Sequence, residues 1–198
     1  MTKIIGLTGG IGSGKTSILK EFKTLGIPCY QADLEAKRLM EESEELIGHI
    51  TKLFGLSSYK ENRLNREFIA SIVFNNPDAL KQLTNVVHPA VEKDFTDWLT
   101  QTSAAYVIKE VAILFEHGGE KKMDATILTT APMEDRIVRV INRDKCSREE
   151  VLARMKNQWD DEKKIPLADF VIENNNWEET IKQIKYIDKQ IRAMNHEH

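Results

Sequence analysis

An α/β fold on a parallel sheet is what this chain predicts, from three observations. Short apolar runs of strand length alternate with stretches of helical periodicity. Those runs are mostly apolar on both faces, as in strands held between layers of helices. The first of them passes through a glycine-rich turn straight into a helix. That turn, Gly-Gly-Ile-Gly-Ser-Gly-Lys-Thr from Gly9 to Thr16, matches the whole pattern G-x-x-x-x-G-K-[ST]. The expected class is therefore a P-loop NTPase-type parallel sheet flanked by helices.

Lys3 to Thr8 suits a buried parallel strand, and Ser17 to Phe22 opens an apolar-periodic helix. Strand, glycine turn and helix N-terminus together aim backbone N–H groups and the positive end of the helix dipole at a polyphosphate. Gly9, Gly12, Ser13, Gly14, Lys15, Thr16 and Ser17 are the expected phosphate-cradling residues. Lys15 would reach the β- and γ-phosphates of a nucleoside triphosphate, and the Thr16 hydroxyl would ligate Mg²⁺.

Gly26 stops the first helix, and Ile27 to Gln31 reads as a second strand. A helix follows from Leu34 to Met40, with Asp33 placed to cap it. From Glu41 to about Thr102 no segment looks like a strand of the main sheet. Apolar residues recur there at helical spacing: Phe68, Ile72 and Val73; Leu80, Leu83 and Val87; Val91, Phe95 and Leu99. This predicts a helical insertion, broken by turns, with a helix boundary at His88-Pro89. Strands return at Tyr106 to Val111 and Ala125 to Thr129. Met133 to Lys156 is helical with a break near Cys146-Ser147, where Ser147 and Glu150 form a capping box. A strand from Asp169 to Glu173 and an amphipathic helix from Trp177 to Met194 close the chain.

Composition narrows the functional classes. The 198 residues suffice for one domain with a real core. A net charge of -3 supplies no global polycation for nucleic acid. No apolar stretch approaches a membrane span, and the first strand starts too early for a signal peptide. Cys29 and Cys146 share no metal-ligand spacing, which suits reduced thiols in a cytoplasmic protein.

In parallel sheets the chemistry lies beyond the carboxyl ends of the strands. Asp33 falls there and would either accept a proton from an attacking hydroxyl or simply cap its helix. Glu110 closes the third strand and would hold Mg²⁺ through a water. Glu116, a few residues on, reads equally as a second acid or as a loop residue. Arg136, Arg139 and Arg143 are spaced i, i+3, i+7 on one helix face. They make either a phosphate-binding lid or a solvated charged face. The Asn-Lys-x-Asp motif of GTPases and the Leu-Ser-Gly-Gly-Gln motif of transporter ATPases are both absent.

The ordered set of motifs resembles the dephospho-CoA kinase family over nearly the whole chain. The resemblance rests on Leu7 to Lys15, on Ala32-Asp33, on Phe54-Gly55 and Leu64-Asn65-Arg66 with Val73-Phe74, and on Val87-His88-Pro89. It continues through Phe115-Glu116, Arg139, Arg143-Asp144, Arg154 with Gln158, Lys164, Ala168-Asp169 and Asn174. Gln31 replaces an acid and Ala112 a proline of the family pattern. The resemblance implies transfer of the ATP γ-phosphoryl group, with Mg²⁺, to the 3′-hydroxyl of dephospho-CoA. It implies Asp33 as general base, Lys15, Arg139 and Arg143 at the phosphates, and Asn174 near the adenine.

The expected organisation is a core (about 1–40, 103–132 and 167–198), a substrate-binding insertion (about 41–102) and a lid (about 133–166). A cytoplasmic monomer is expected, with dephospho-CoA as its small-molecule partner and neither nucleic acid nor membrane. The alternatives are another small P-loop kinase, acting on a nucleotide or small alcohol, and a nucleotide-binding regulatory module.

Overall fold

The computed structural model describes residues 2–74 and 76–194; Met1, Asn75 and 195–198, within the expected core and insertion ranges, lie outside it. From the N-terminus, β1 (Lys3–Gly9) leads to α1 (Lys15–Thr24), then β2 (Cys29–Gln31) and α2 (Ala32–Glu42). Next come α3 (Glu44–Phe54), the short strands β3 (Tyr59–Lys60) and β4 (Arg63–Leu64), α4 (Arg66–Val73) and α5 (Pro77–Thr100). After β5 (Tyr106–Glu110) and β6 (Ala125–Thr130) follow α6 (Met133–Asp144), α7 (Arg148–Met155) and the one-turn α8 (Asp161–Lys164). β7 (Phe170–Glu173) and α9 (Trp177–Ala193) end the order. The chain divides into two compact units, one reaching to Gln31 and resuming at Thr102, the other Ala32–Gln101.

The first unit is built on a sheet of order β2-β5-β1-β6-β7. Every neighbouring pair is parallel. The direction in which strands are added reverses around β1, which puts the crevice of the fold at the carboxyl end of that strand. Ile5, Leu7, Ile108 and Ile127 are fully buried and pack with Ile18, Leu19 and Phe22 of α1 and Ile184, Ile187 and Ile191 of α9. The alternation of the strands and the i, i+3, i+4 rhythm of the helices thus meet on one face. α9 is also tied down by polar groups: Tyr106 donates to Asp188 Oδ1 at 2.6 Å, and Arg192 Nε reaches the same oxygen at 2.9 Å.

Cys29 packs against this core, and burial pushes its thiol up to about 12, with Lys23 opposing weakly. A folded value above the unfolded one favours the neutral thiol. The associated stability is complete below about pH 8.5 and declines as pH rises from there towards 12. We expect Cys29 to resist a disulfide reagent at pH 8 in the folded protein and to react once the chain is unfolded. Rapid labelling of Cys29 in the native state would contradict this.

In the second unit, α2 and α5 are joined by Arg38, which pairs with Glu35 and Glu42 on its own helix and with Asp94 at 2.6 Å. These partners hold the guanidinium above its ordinary value. Asn65 and Asn76 cap α4 and α5 through their side-chain oxygens. Three expectations need correction here. α5 runs unbroken through His88-Pro89. Proline removes one helix hydrogen bond and crowds the Asn85 carbonyl. Burial of Val87, Val91 and Phe95 on one face offsets that loss and carries the helix onward. The β3–β4 hairpin adds strands to a segment expected to be helical, though outside the main sheet. Finally, α2 begins at Ala32, so Asp33 is the second helical residue rather than the cap.

Candidate active site

β1 ends in Gly9, and the next five residues curl back to start α1 at Lys15. Ser13 N–H donates to Gly10 O, while Ser17 and Ile18 N–H donate to Gly14 O. The helix N-terminus therefore opens directly above the carboxyl end of β1, and its dipole presents positive charge there. Lys15 folds back over the loop and donates from Nζ to Gly9 O at 2.7 Å. Thr16 and Ser17 are exposed on the first turn.

Two glycines have steric reasons. Gly12 has φ +78, and a Cβ there would lie 2.9 Å from the backbone Cα and C of Arg136. Gly14 has φ +99, and its Cβ would collide with the Asn174 amide. We expect Gly12→Ala to destabilise the protein by about 2–4 kcal/mol, combining left-handed strain with overpacking. Urea unfolding measures this, and a variant as stable as wild type would show that the loop does not need this conformation.

The groups around the loop come from distant parts of the chain. Asn174 follows β7 and is buried; its N–H donates to Thr130 O at the end of β6. Its Nδ2 donates to Ser13 O at 2.8 Å, and its Oδ1 accepts from Thr180 at 3.3 Å. Its side chain thus clamps the loop from below, a contact the sequence did not suggest. Arg139 donates from Nη2 to Asn174 O at 3.0 Å. Its Nη1 is shut off from solvent, has no hydrogen-bond partner and lies 3.9 Å from where a Gly14 Cβ would sit. A buried guanidinium N–H without an acceptor, beside a helix N-terminus, fits an anionic ligand. The buried Ser13 and Thr129 hydroxyls also lack partners.

Arg143 is not brought to the loop. It is exposed at the far end of α6 and makes two bonds to Asp144, which also takes Arg154. These arginines hold the Asp144 carboxyl below its usual range. Arg136, which the spacing grouped with the other two without a separate role, does reach the loop: Nε donates to Ile11 O at 2.9 Å. Seven residues of helix separate Arg143 from it by about 10 Å along the axis.

Glu110 ends β5, level with Leu7 and Gln31 in the neighbouring strands, and is buried. Gln31, where the family pattern has an acid, donates to Glu110 Oε2 at 3.5 Å. Glu116 accepts from Trp159 N–H and so acts within the loop structure. A threonine hydroxyl and a carboxylate are the hard oxygen donors that Mg²⁺ prefers. Among the described residues no three His, Cys, Asp or Glu side chains could cage a metal. Mg²⁺ bound mainly through phosphate oxygens and water needs no such cage. Asp33 belongs to the second unit, where it is exposed in the first turn of α2.

The family profile described as Dephospho-CoA kinase matches residues 3–179. The chain belongs to the dephospho-CoA kinase family. It is 37% identical to dephospho-CoA kinase of Chlorobium chlorochromatii, over 90% of this chain and 88% of that one. The fold is similar to the Thermus thermophilus protein TT1252, with TM-score 0.87 and 37% identity over 96% of this chain and 97% of that one. It is also similar to dephospho-CoA kinase from Campylobacter jejuni, with TM-score 0.71 and 28% identity over 98% and 100%. This family member is accordingly a kinase with ATP as co-substrate. No helix among the described residues is long and apolar enough to cross a membrane.

Proposed function

We propose that this chain transfers the γ-phosphoryl group of ATP to the 3′-hydroxyl of dephospho-CoA, giving coenzyme A and ADP. The observation that carries the reading is a family match over residues 3–179, from the phosphate loop to beyond Asn174.

The loop from Gly9 to Ser17 would hold the β- and γ-phosphates, with Lys15 and Arg139 as cations over the bridging oxygen. Asn174 would keep the loop in shape from Ser13 and approach the adenine side. Arg143, now paired with Asp144, would join the phosphates if the segment from 133 to 166 closes as a lid. Such closure would exclude water as a competing acceptor. Asp33 would orient and deprotonate the 3′-hydroxyl, and the insertion from about 41 to 102 would bind the rest of dephospho-CoA. Thr16 and, through water, Glu110 would hold Mg²⁺, whose contribution when bound is neutralisation of charge on the phosphate oxygens. We read the enzyme as a cytoplasmic monomer acting on a small molecule, not on nucleic acid or membrane.

The test offers purified protein Mg-ATP with dephospho-CoA, with nucleoside monophosphates, or with no acceptor. The expected result is ADP release that depends on dephospho-CoA, with the new phosphomonoester at the ribose 3′ position by ³¹P NMR. ADP release indifferent to dephospho-CoA would sink the reading. No turnover with any acceptor would favour a regulatory nucleotide-binding module.

A further inference from the structure

Ile11, at the tip of the phosphate loop, is held by three groups from one segment. Its side chain packs against the apolar cluster of Ile137, Val140 and Val151 in α6 and α7. Its carbonyl accepts from Arg136 Nε at 2.9 Å. Its N–H donates to Gln158 Oε1 at 2.8 Å, a contact 147 residues apart in sequence.

Gln158 does more than cap one amide. Its Nε2 donates to Ala112 O at 3.4 Å, in the loop that leaves β5 just after Glu110. Thr8 Oγ1, one residue before the phosphate loop, donates to the same carbonyl at 3.5 Å. The next residue, Trp159, donates its N–H to Glu116 in that same loop. One carboxamide thus joins the phosphate loop, the loop after β5 and the end of α7. Asp161 reinforces the arrangement through Arg136 at 3.1 Å. A side chain that accepts from one loop and donates to another fixes their spacing, because its two polar ends are a rigid amide apart.

We propose that Gln158 is a positioning residue for ATP. By gripping Ile11 N–H and Ala112 O, it sets the tip of the phosphate loop at its working distance from the loop that follows Glu110. The inference rests on the reading that the glycine loop binds ATP.

The test is Gln158→Met, which keeps length and bulk but removes both hydrogen bonds. The expected result is an ATP Kd about 10-fold weaker by calorimetry, or about 1.4 kcal/mol. The KM for dephospho-CoA should stay within about twofold, since the two hydrogen bonds of Gln158 go to the phosphate loop and the loop after β5. Amide exchange at Ile11 should quicken about 10-fold while the β1 amides stay protected, a local signature that general destabilisation would not give. An ATP Kd within twofold of wild type in folded Gln158→Met would overturn the proposal. So would equal weakening of ATP and dephospho-CoA. If Gln158→Met shows no cooperative melt, Gln158→Asn is judged by the same criteria, its amide one methylene too short to span both partners. Wild-type protein that binds no ATP would instead overturn the underlying reading, and the inference with it.

Discussion

Asp33→Asn should lower kcat at least ~100-fold while ATP affinity stays within about twofold of wild type, the loss expected when a general base is removed. Asparagine keeps the size and shape of the side chain but cannot take a proton from the 3′-hydroxyl. The competing account is structural. Asp33 lies in the first turn of α2, where a carboxylate interacts favourably with the helix dipole. That interaction is worth at most about 1 kcal/mol at an exposed site, roughly fivefold in an equilibrium. Magnitude therefore separates the two. A purely structural Asp33 predicts a small fall in stability and near-normal kcat in the folded variant. Steady-state kinetics with Mg-ATP and dephospho-CoA, alongside a thermal melt, read both. Turnover near wild type would remove Asp33 from the chemistry and leave the base unassigned.

The parts of this fold that were legible in the sequence are those specified by neighbours along the chain. β1, the glycine loop and α1 follow one another within 22 residues, and pattern and structure agree there. The Ser147–Glu150 capping box is equally local and is present in full. Asn174 and Arg139 were marked by resemblance, but their contacts were not visible. The parallel pairing of β6 with β7 is what brings Asn174 level with the end of β6 and so beneath Ser13. Register also explains Gln31, whose departure from the family pattern could not be interpreted until it was seen opposite Glu110.

The misses have a common physical origin. The His88-Pro89 step carries a backbone bias against helix, and tertiary burial of the α5 face outweighs it. The β3–β4 hairpin is too short for a period of two to appear, and it turns through Glu61 and Asn62 at positive φ without a glycine to announce it. Arginine spacing correctly predicted a shared helix face but not how far along the axis the loop reaches. Arg136 and Arg139, near the N-terminal half of α6, meet the loop; Arg143 does not. Gln158 is marked by the resemblance but without a role, because a glutamine before an irregular segment looks like any solvated residue until its two partners are known.

Lys15→Ala should reduce kcat/KM by about 10³-fold, the scale on which a cation aimed at transferring phosphoryl oxygens acts. Lys15 Nζ rests on Gly9 O, a carbonyl of its own loop. The lysine is thus held over the loop before any phosphate arrives, and only a short swing would carry it to the β- and γ-oxygens. The structural part of that bond is small beside the kinetic effect. Losing one such hydrogen bond is worth about 1 kcal/mol, far below the roughly 4 kcal/mol that a 10³-fold change in rate represents. A melt within a few degrees of wild type should therefore accompany the kinetic loss. Lys15→Arg sharpens the test. Its charge is preserved, but a planar fork replaces a compact ammonium in a loop already closed around Gly12 and Gly14. We expect Lys15→Arg to recover no more than a tenth of wild-type activity. Full activity in Lys15→Arg would mean that charge alone suffices. Activity within tenfold of wild type in Lys15→Ala would mean that the loop backbone and Arg139 stabilise the transferring group without it.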